Sequence, residues 1–360
     1  MTNINKYDNL IAFHPGSYVE DIIDDLNITQ AEFARRLGTS PKTVSGLVSG
    51  KIRLSEDLAF KLEKMTGVDF QTWMNIQNSY DKKILEIQDA KNRDEILVAD
   101  MIDIKYFKKH EFFENRVYSK KDKIKELRNF FSVSNLTYFL TFNPAVSYRS
   151  IGNFKENQIV NSNIMLELAS IRGRNKARAK LNRSKLQAHL PEIRNMVNED
   201  FSIFYPRLEQ ILLNCGIVLE GLPSLKNSML NGATKKFGNG SALILITDRN
   251  KGADIFWFSL IHEISHILDN DFYTNIEDIE QYREKENKAD KFAKDFFIRE
   301  ESYEDFVSKG NFTTKAITDF SQEMNVQPFI LLGRLKKDEY VKYNQFTEYM
   351  TKYKLELNDK

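Results

Sequence analysis

His262-Glu263-Ile264-Ser265-His266 is the run of this sequence whose residue types and spacing point most directly to chemistry. Residues four apart share one face of a helix, so both imidazoles can reach one metal ion, and His-Glu-x-x-His suits zinc. Glu263 follows the first ligand and falls beside such a metal, where a carboxylate can take the proton of an activated water. The chain has five histidines, so chance is a poor account of two at this spacing around a glutamate. A surface helix that merely carries these side chains is the alternative. The apolar lead-in Ile255-Phe-Trp-Phe-Ser-Leu-Ile261 argues instead for a buried one. A catalytic zinc needs a third protein ligand and an open position. Downstream, Glu286 and Asp290 again stand four apart, with Glu284 and Asp295 as rivals in a highly charged stretch. Phe292-Ala293 favours Glu286, because it gives that helix a small apolar side to pack on the first. Tyr273, Tyr282 and Arg283 are candidates for steadying an oxyanion, with no geometry to choose among them.

Two packed helices and a scaffold must hold these groups. Helical patterning covers Phe256–Leu268, Glu280–Ile298 and much of the C-terminus. Gly216-Ile-Val-Leu219 and Leu243-Ile-Leu-Ile-Thr247 are short β-branched runs bounded by Gly, Asn and Asp, and read as strands. The expectation is an α+β unit with a small sheet. Residues 81–130 are helical in pattern and heavily charged, as long amphipathic helices or a linker helix would be. That linker is a candidate self-cleavage region, although no signature marks a scissile bond. Arg172, Arg174, Lys176, Arg178, Lys180, Arg183 and Lys185 form a basic run with no acid between them. A solvated helix face with Ala177, Ala179 and Leu181 inward is favoured there over nonspecific phosphate contacts.

Residues 14–80 have a different grammar. Pro15 suits a first helical turn, and Val19, Ile22, Ile23 and Leu26 follow at helical spacing. Thr29-Gln-Ala-Glu32 has the form of a capping box, and Gly38 suits the end of the helix Gln30–Leu37. Ser40-Pro41 then caps and opens a helix reaching about Ser49, and Ser55 and Asp69 can cap two more. Two short helices joined by Gly38-Thr39 make a helix-turn-helix candidate. Val44, Leu47 and Val48 turn inward. Lys42, Thr43, Ser45, Gly46 and Ser49 leave an outer face narrow enough for a major groove. Gln30, Ser40, Lys51 and Arg53 complete the expected DNA-contacting set, with Gln30, Lys51 and Arg53 on phosphates.

Composition bounds these readings. The chain has 360 residues, enough for two or three domains. With 41% hydrophobic and 29% charged residues it is of soluble globular type. A net charge of +1 means that nucleic-acid contact must come from a local patch. The single cysteine, Cys215, excludes a disulfide framework within the chain and a cysteine-rich zinc finger. No secretory pattern opens the sequence and no apolar run is long enough to span a membrane, so a cytoplasmic protein without membrane partners is expected.

His14-Pro-Gly, TQAEFARRLG, the Ser-Gly-Lys turn and FQTWMNIQ resemble HigA-type antidote proteins of the XRE helix-turn-helix family. The resemblance implies a homodimer that binds operator DNA and represses its own operon. FWFSLIHEISHIL, Glu286-x-x-Ala-Asp290-x-Phe-Ala293, Gly232-Ala-Thr, Leu243–Thr247 and LLGRLKKDEYV resemble the ImmA/IrrE metallopeptidases. That resemblance implies a zincin-like fold, a Zn2+ cofactor and cleavage of an XRE-type repressor. As in thermolysin-like enzymes, it makes Glu286 the third ligand. It also has Asp290 orient a metal-bound histidine, and strand 243–247 pair with an extended substrate. Ile298-Arg-Glu300, where a proline is commoner, and the basic run depart from the pattern without touching the ligands. The expected organisation is a helix-turn-helix domain at 1–80, a helical intermediate region at 81–200 and a metallopeptidase domain at 201–345. The expected function is a DNA-binding regulator with a zinc endopeptidase acting on a repressor, a toxin partner or itself. The alternative is a non-catalytic HigA-like antitoxin whose zinc-site domain senses a ligand or binds a partner.

Overall fold

The computed structural model describes residues 4–7, 10–90, 93–141, 155–272 and 279–357. They form two compact units, Met1–Arg93 and Asp94–Lys360.

The first unit opens with an antiparallel pair, β1 (Ile4–Tyr7) and β2 (Leu10–Phe13), Ile4 opposite Phe13. An all-helical unit was expected. Leu10-Ile-Ala-Phe13 is apolar throughout, so it lacks the alternation by which a half-buried strand is recognised; only Ala12 among its residues is buried. Helices α1 (Pro15–Asp25), α2 (Gln30–Leu37), α3 (Pro41–Val48), α4 (Glu56–Thr66) and α5 (Phe70–Ala90) follow. Their ends match the local signals. Thr29, Ser40 and Ser55 each accept a backbone N–H three residues on, and Gly38 takes φ 67° beyond α2. The capping box forms by half, because the Glu32 carboxylate bonds Arg36. Phe33, Leu37, Val44, Leu47, Leu62 and Trp73 anchor the core.

The second unit is built on three strands, β3 (Ile217–Leu222), β4 (Gly232–Lys236) and β5 (Ala242–Thr247), in the order β3-β5-β4. β5 runs parallel to β3 and antiparallel to β4. Every residue of β5 is buried, because both faces of the sheet are covered. Ile217, Leu219, Ile244 and Ile246 share a core with Phe204 of α12 (Phe201–Asn214) and Leu260 of α13 (Ala253–Leu268). On the other face, Val218, Leu243 and Leu245 share a core with Ile164 and Leu168 of α10 (Glu156–Gly173). That second core takes in α6 (Arg93–Met101), α7 (Ile104–Lys109), α8 (Lys120–Phe131) and α9 (Tyr138–Thr141) through Val98, Phe107, Leu127 and Phe139.

The segment 81–200 is therefore not a separate intermediate region. Residues 81–90 continue α5 of the first unit, whereas Val98, Ile102, Phe107 and Leu127 are buried in the core beside the sheet, so much of the candidate self-cleavage linker 81–130 lies in packed helices. The basic run is not a helix face either. Gly173 ends α10 against the sheet, where a Cβ would stand 3.2 Å from Leu243 and 3.3 Å from Val218, and α11 (Arg183–Asn195) starts ten residues later. Arg172 in the last turn of α10 and Lys176 beyond it both pair with buried Glu220, and between the helices Ala177 is buried and Ala179 is exposed. After α14 (Ile279–Phe297) come α15 (Glu300–Ser308), α16 (Thr314–Glu323) and α17 (Pro328–Lys337). Among the described residues no helix is long and apolar enough to cross a membrane.

Candidate metal centre and nucleic-acid interface

α13 is buried along nearly its whole length and packs against α14. This brings the predicted ligands together. The Nε2 atoms of His262 and His266 are 3.0 Å apart. Glu286 Oε2 lies 3.6 Å from His262 Nε2, and its Oε1 lies 3.4 Å from His266 Nε2. The three donors all fall within 4.8 Å of one another. A tetrahedral zinc at ~2.1 Å from its nitrogens needs donors roughly 3.4 Å apart, close to these separations. Donor type and spacing thus both fit zinc. Of the rivals, Glu284 is exposed, and Asp295 Oδ1 accepts the Glu300 N–H at 3.2 Å beside the start of α15.

Each histidine is gripped from behind. His262 Nδ1 lies 2.9 Å from Asp290 Oδ1. His266 Nδ1 lies 3.6 Å from Asp271 Oδ2, and Asp271 Oδ1 accepts from Lys285 Nζ at 3.1 Å. Asp271 was not anticipated. It follows the end of α13, where the chain folds back and the Asp271 N–H reaches the His266 carbonyl at 2.8 Å. A pattern of helical spacings stops short of that turn. Burial by itself lowers the basicity of His262, but bonds to Asp290 and Glu286 outweigh it and hold the ring up to about 9. His266 is likewise raised against the effect of burial, by Asp271 and Glu286. Asp290, which burial alone would raise, is lowered by His262. The cluster is a place that favours positive charge, a proton or a metal cation.

Glu263 is 1% exposed. Its side chain lies against Gly232 at the start of β4, where a Cβ would stand 2.8 Å from Glu263 Cγ and 2.9 Å from Oε1. The glycine of Gly232-Ala-Thr thus makes room for Glu263. A cavity of about 250 Å³ borders His266, Asp271, Phe272 and Lys285. Tyr282 is buried and Arg283 exposed, while Tyr273 lies outside the described residues. The strand expected to receive a substrate, β5, is central and paired on both sides. Among the described residues β3 and β4 each have an edge with no strand beside it.

In the first unit the His-Pro-Gly motif sets α3 in place. His14 Nδ1 accepts the Gly16 N–H at 3.0 Å, Pro15 opens α1, and Gly16 presses on α3. A Cβ on Gly16 would stand 1.9 Å from the Leu47 carbonyl oxygen. Val44, Leu47 and Val48 are buried, which leaves Lys42 and Ser45 exposed on α3. Residues 19–73 match the helix-turn-helix family model HTH_3. An uncharacterized HTH-type transcriptional regulator of Escherichia coli, YddM, is 38% identical over 66 residues, 18% of this chain and 70% of that protein. The chain belongs to the helix-turn-helix family. Virulence-associated protein I of Dichelobacter nodosus is 30% identical over 76 residues, 21% of this chain and 70% of its own length. A solved structure assigned to an antidote protein of a plasmid maintenance system from Nostoc punctiforme is 30% identical. It covers 24% of this chain and 94% of its own, with a TM-score of 0.23, too low to argue from.

Within the helix-turn-helix unit, the predicted DNA-contacting residues divide. Gln30, Lys42, Ser45 and Lys51 are exposed. Ser40 Oγ is occupied by the Thr43 N–H at 3.1 Å and the Thr43 hydroxyl at 2.8 Å, so both serve the cap. Ser49 Oγ donates to the Gly46 carbonyl at 3.2 Å. Arg53 pairs with Asp81 of α5 at 2.9 Å.

Proposed function

We propose that this helix-turn-helix protein is a DNA-binding transcriptional regulator whose second unit is a zinc-dependent endopeptidase. Its substrate is a repressor, a toxin-like partner or the chain itself. The observation that carries the enzymatic half is the convergence of His262, His266 and Glu286 within 4.8 Å, with Glu263 in the same helix, buried between the first two. A divalent metal would be held by those three residues and would supply Lewis acidity toward a peptide carbonyl. The chain's own groups do the rest. Asp290 accepts from the Nδ1–H of His262, and the Asp271 carboxylate stands 3.6 Å behind His266 Nδ1, an arrangement that turns each Nε2 toward the other donors. Glu263 accepts the proton of the attacking water on its carboxylate and delivers it to the departing amide nitrogen. The open edge of β4 offers backbone N–H and C=O groups to an extended substrate. Lys42 and Ser45 of α3 read the operator, with Gln30 and Lys51 on the phosphates.

The test is Glu263→Gln, which keeps size and polarity but cannot take up the proton. The variant is expected to retain zinc and operator binding. Intact mass after incubation with zinc and the co-encoded proteins is expected to show cleavage products from the parent chain and none from the variant. If neither chain gives a product and induction is unchanged in the variant strain, the peptidase reading falls and a non-catalytic antitoxin-like regulator stands.

A further inference from the structure

A larger cavity, of about 660 Å³, lies among α13, α14, α17 and the stretch 343–352. Small-molecule sites run roughly 300–1,000 Å³. Ile255, Phe258, Phe297, Ile330 and Met350 give it a mostly apolar wall. Lys294, Lys336, Lys337 and Lys352 line it too, against one acid, Asp254. None of these four lysines enters an ion pair among the described residues, although Lys337 Nζ stands 5.0 Å from the Phe258 ring centre. Lys336 decides the chemistry, being only 4% exposed. No carboxylate stands at bonding distance from its ammonium, and burial lowers its basicity against the raising effects of Asp254 and Glu348. Asp254 cannot swing freely toward it. Its oxygens are wedged between Gly252 and Gly333, where added Cβ atoms would stand 2.4 and 2.6 Å from them. Burial also raises the Asp254 carboxyl, which weakens the one acid among the lining residues, while Glu348 acts on Lys336 from further off.

We propose that this cavity binds an amphipathic anion, a small molecule with an apolar chain and a carboxylate head. The head sets against Lys336 and Lys337, and the chain lies along Phe297, Ile330 and Met350. The same cavity explains the glycine of Leu-Leu-Gly-Arg-Leu, since α17 can approach Asp254 only where residue 333 has no side chain. Phe258 and Ala293 of the wall stand close in sequence to His262 and Asp290, so the occupant rests on the two helices that carry the metal donors. The proposal does not depend on the peptidase reading, because it rests on the cavity's own lining.

The test is calorimetric titration of the full chain with dodecanoate below its micelle concentration, beside dodecyltrimethylammonium, which has the same chain and the opposite charge. Saturable binding of one dodecanoate per chain is expected, with a Kd of about 1–100 µM, and at least ~10-fold weaker binding of the cation. Lys336→Met is expected to weaken dodecanoate about tenfold, and Lys315→Met, an exposed lysine elsewhere, to leave it unchanged. If Lys336→Met loses its helical circular dichroism, the double variant Lys337→Met/Lys352→Met takes its place with the same expectation. No saturable binding, equal affinity for both head groups, or parent-like affinity in the folded cavity variants overturns the proposal.

Discussion

At the scale of single residues, the metal cluster makes a graded prediction. His262→Ala and Glu286→Ala each delete a donor and are expected to abolish zinc retention after dialysis. Asp290→Ala and Asp271→Ala remove only the group behind a ring and are expected to weaken zinc by roughly 10–100-fold in a competition titration. Zinc held at parental affinity by Asp271→Ala would show that the 3.6 Å approach to His266 does not orient the ring. His14 makes a prediction about pH. Burial holds its basicity below the ordinary 6.5, against the raising effects of the Ile52 backbone and Asp81. The neutral ring is therefore the form the fold prefers. Its contribution is complete above about pH 6.5 and is lost as pH falls through the depressed value. Trp73 emission is expected to melt at a lower temperature near pH 5 than near pH 7, and His14→Asn, which keeps a capping side chain, to reduce that difference. An equal difference in the variant would place the titrating group elsewhere.

At the scale of elements, two glycines do work that no propensity records. Gly16 lets α1 meet α3, and Gly232 lets β4 meet Glu263. Gly16→Ala puts a methyl group into the Leu47 carbonyl, so α3 must shift. Operator affinity is expected to fall at least tenfold, with about 1–3 kcal/mol of stability lost as the contact is overpacked. Lys42→Ala/Thr43→Ala leaves the Ser40 cap on the Thr43 N–H and is expected to lose sequence preference while keeping the fold. Fluorescence anisotropy with operator and scrambled duplexes checks both. Full discrimination by the double variant would move recognition off α3.

At the scale of the whole molecule, the chain places one tryptophan in each unit, Trp73 and Trp257, both buried. Zinc held by the proposed site would bind the folded second unit and not its unfolded form, and is then expected to stabilise that unit by about 2.7 kcal/mol when zinc stands at 100 times its Kd. In Trp73→Phe, the emission of Trp257 is expected to melt higher with zinc and lower with chelator. In Trp257→Phe, the emission of Trp73 is expected to be indifferent to both. A zinc effect confined to Trp73 would contradict the assignment of the donors.

The sequence by itself determined whatever is settled within a turn of helix. Thr29, Gly38, Ser40-Pro41 and Ser55 marked the ends of α2, α3 and α4 because a cap bonds to atoms three residues away. His262 and His266 declared themselves because helical geometry alone puts them on one face, and their apolar lead-in foretold burial. Tertiary structure decided what joins distant residues. It chose Glu286 over Glu284 and Asp295, since packing of α13 on α14 alone sets which carboxylate faces the histidines. It brought in Asp271 through a turn that obeys no helical spacing, and made β5 central, with β3 and β4 at the edges of the sheet. It tied Arg53 to Asp81 and gave residues 94–131 to the second unit. Each of these depends on which surfaces meet, and a periodic pattern records that a surface is apolar without recording what covers it.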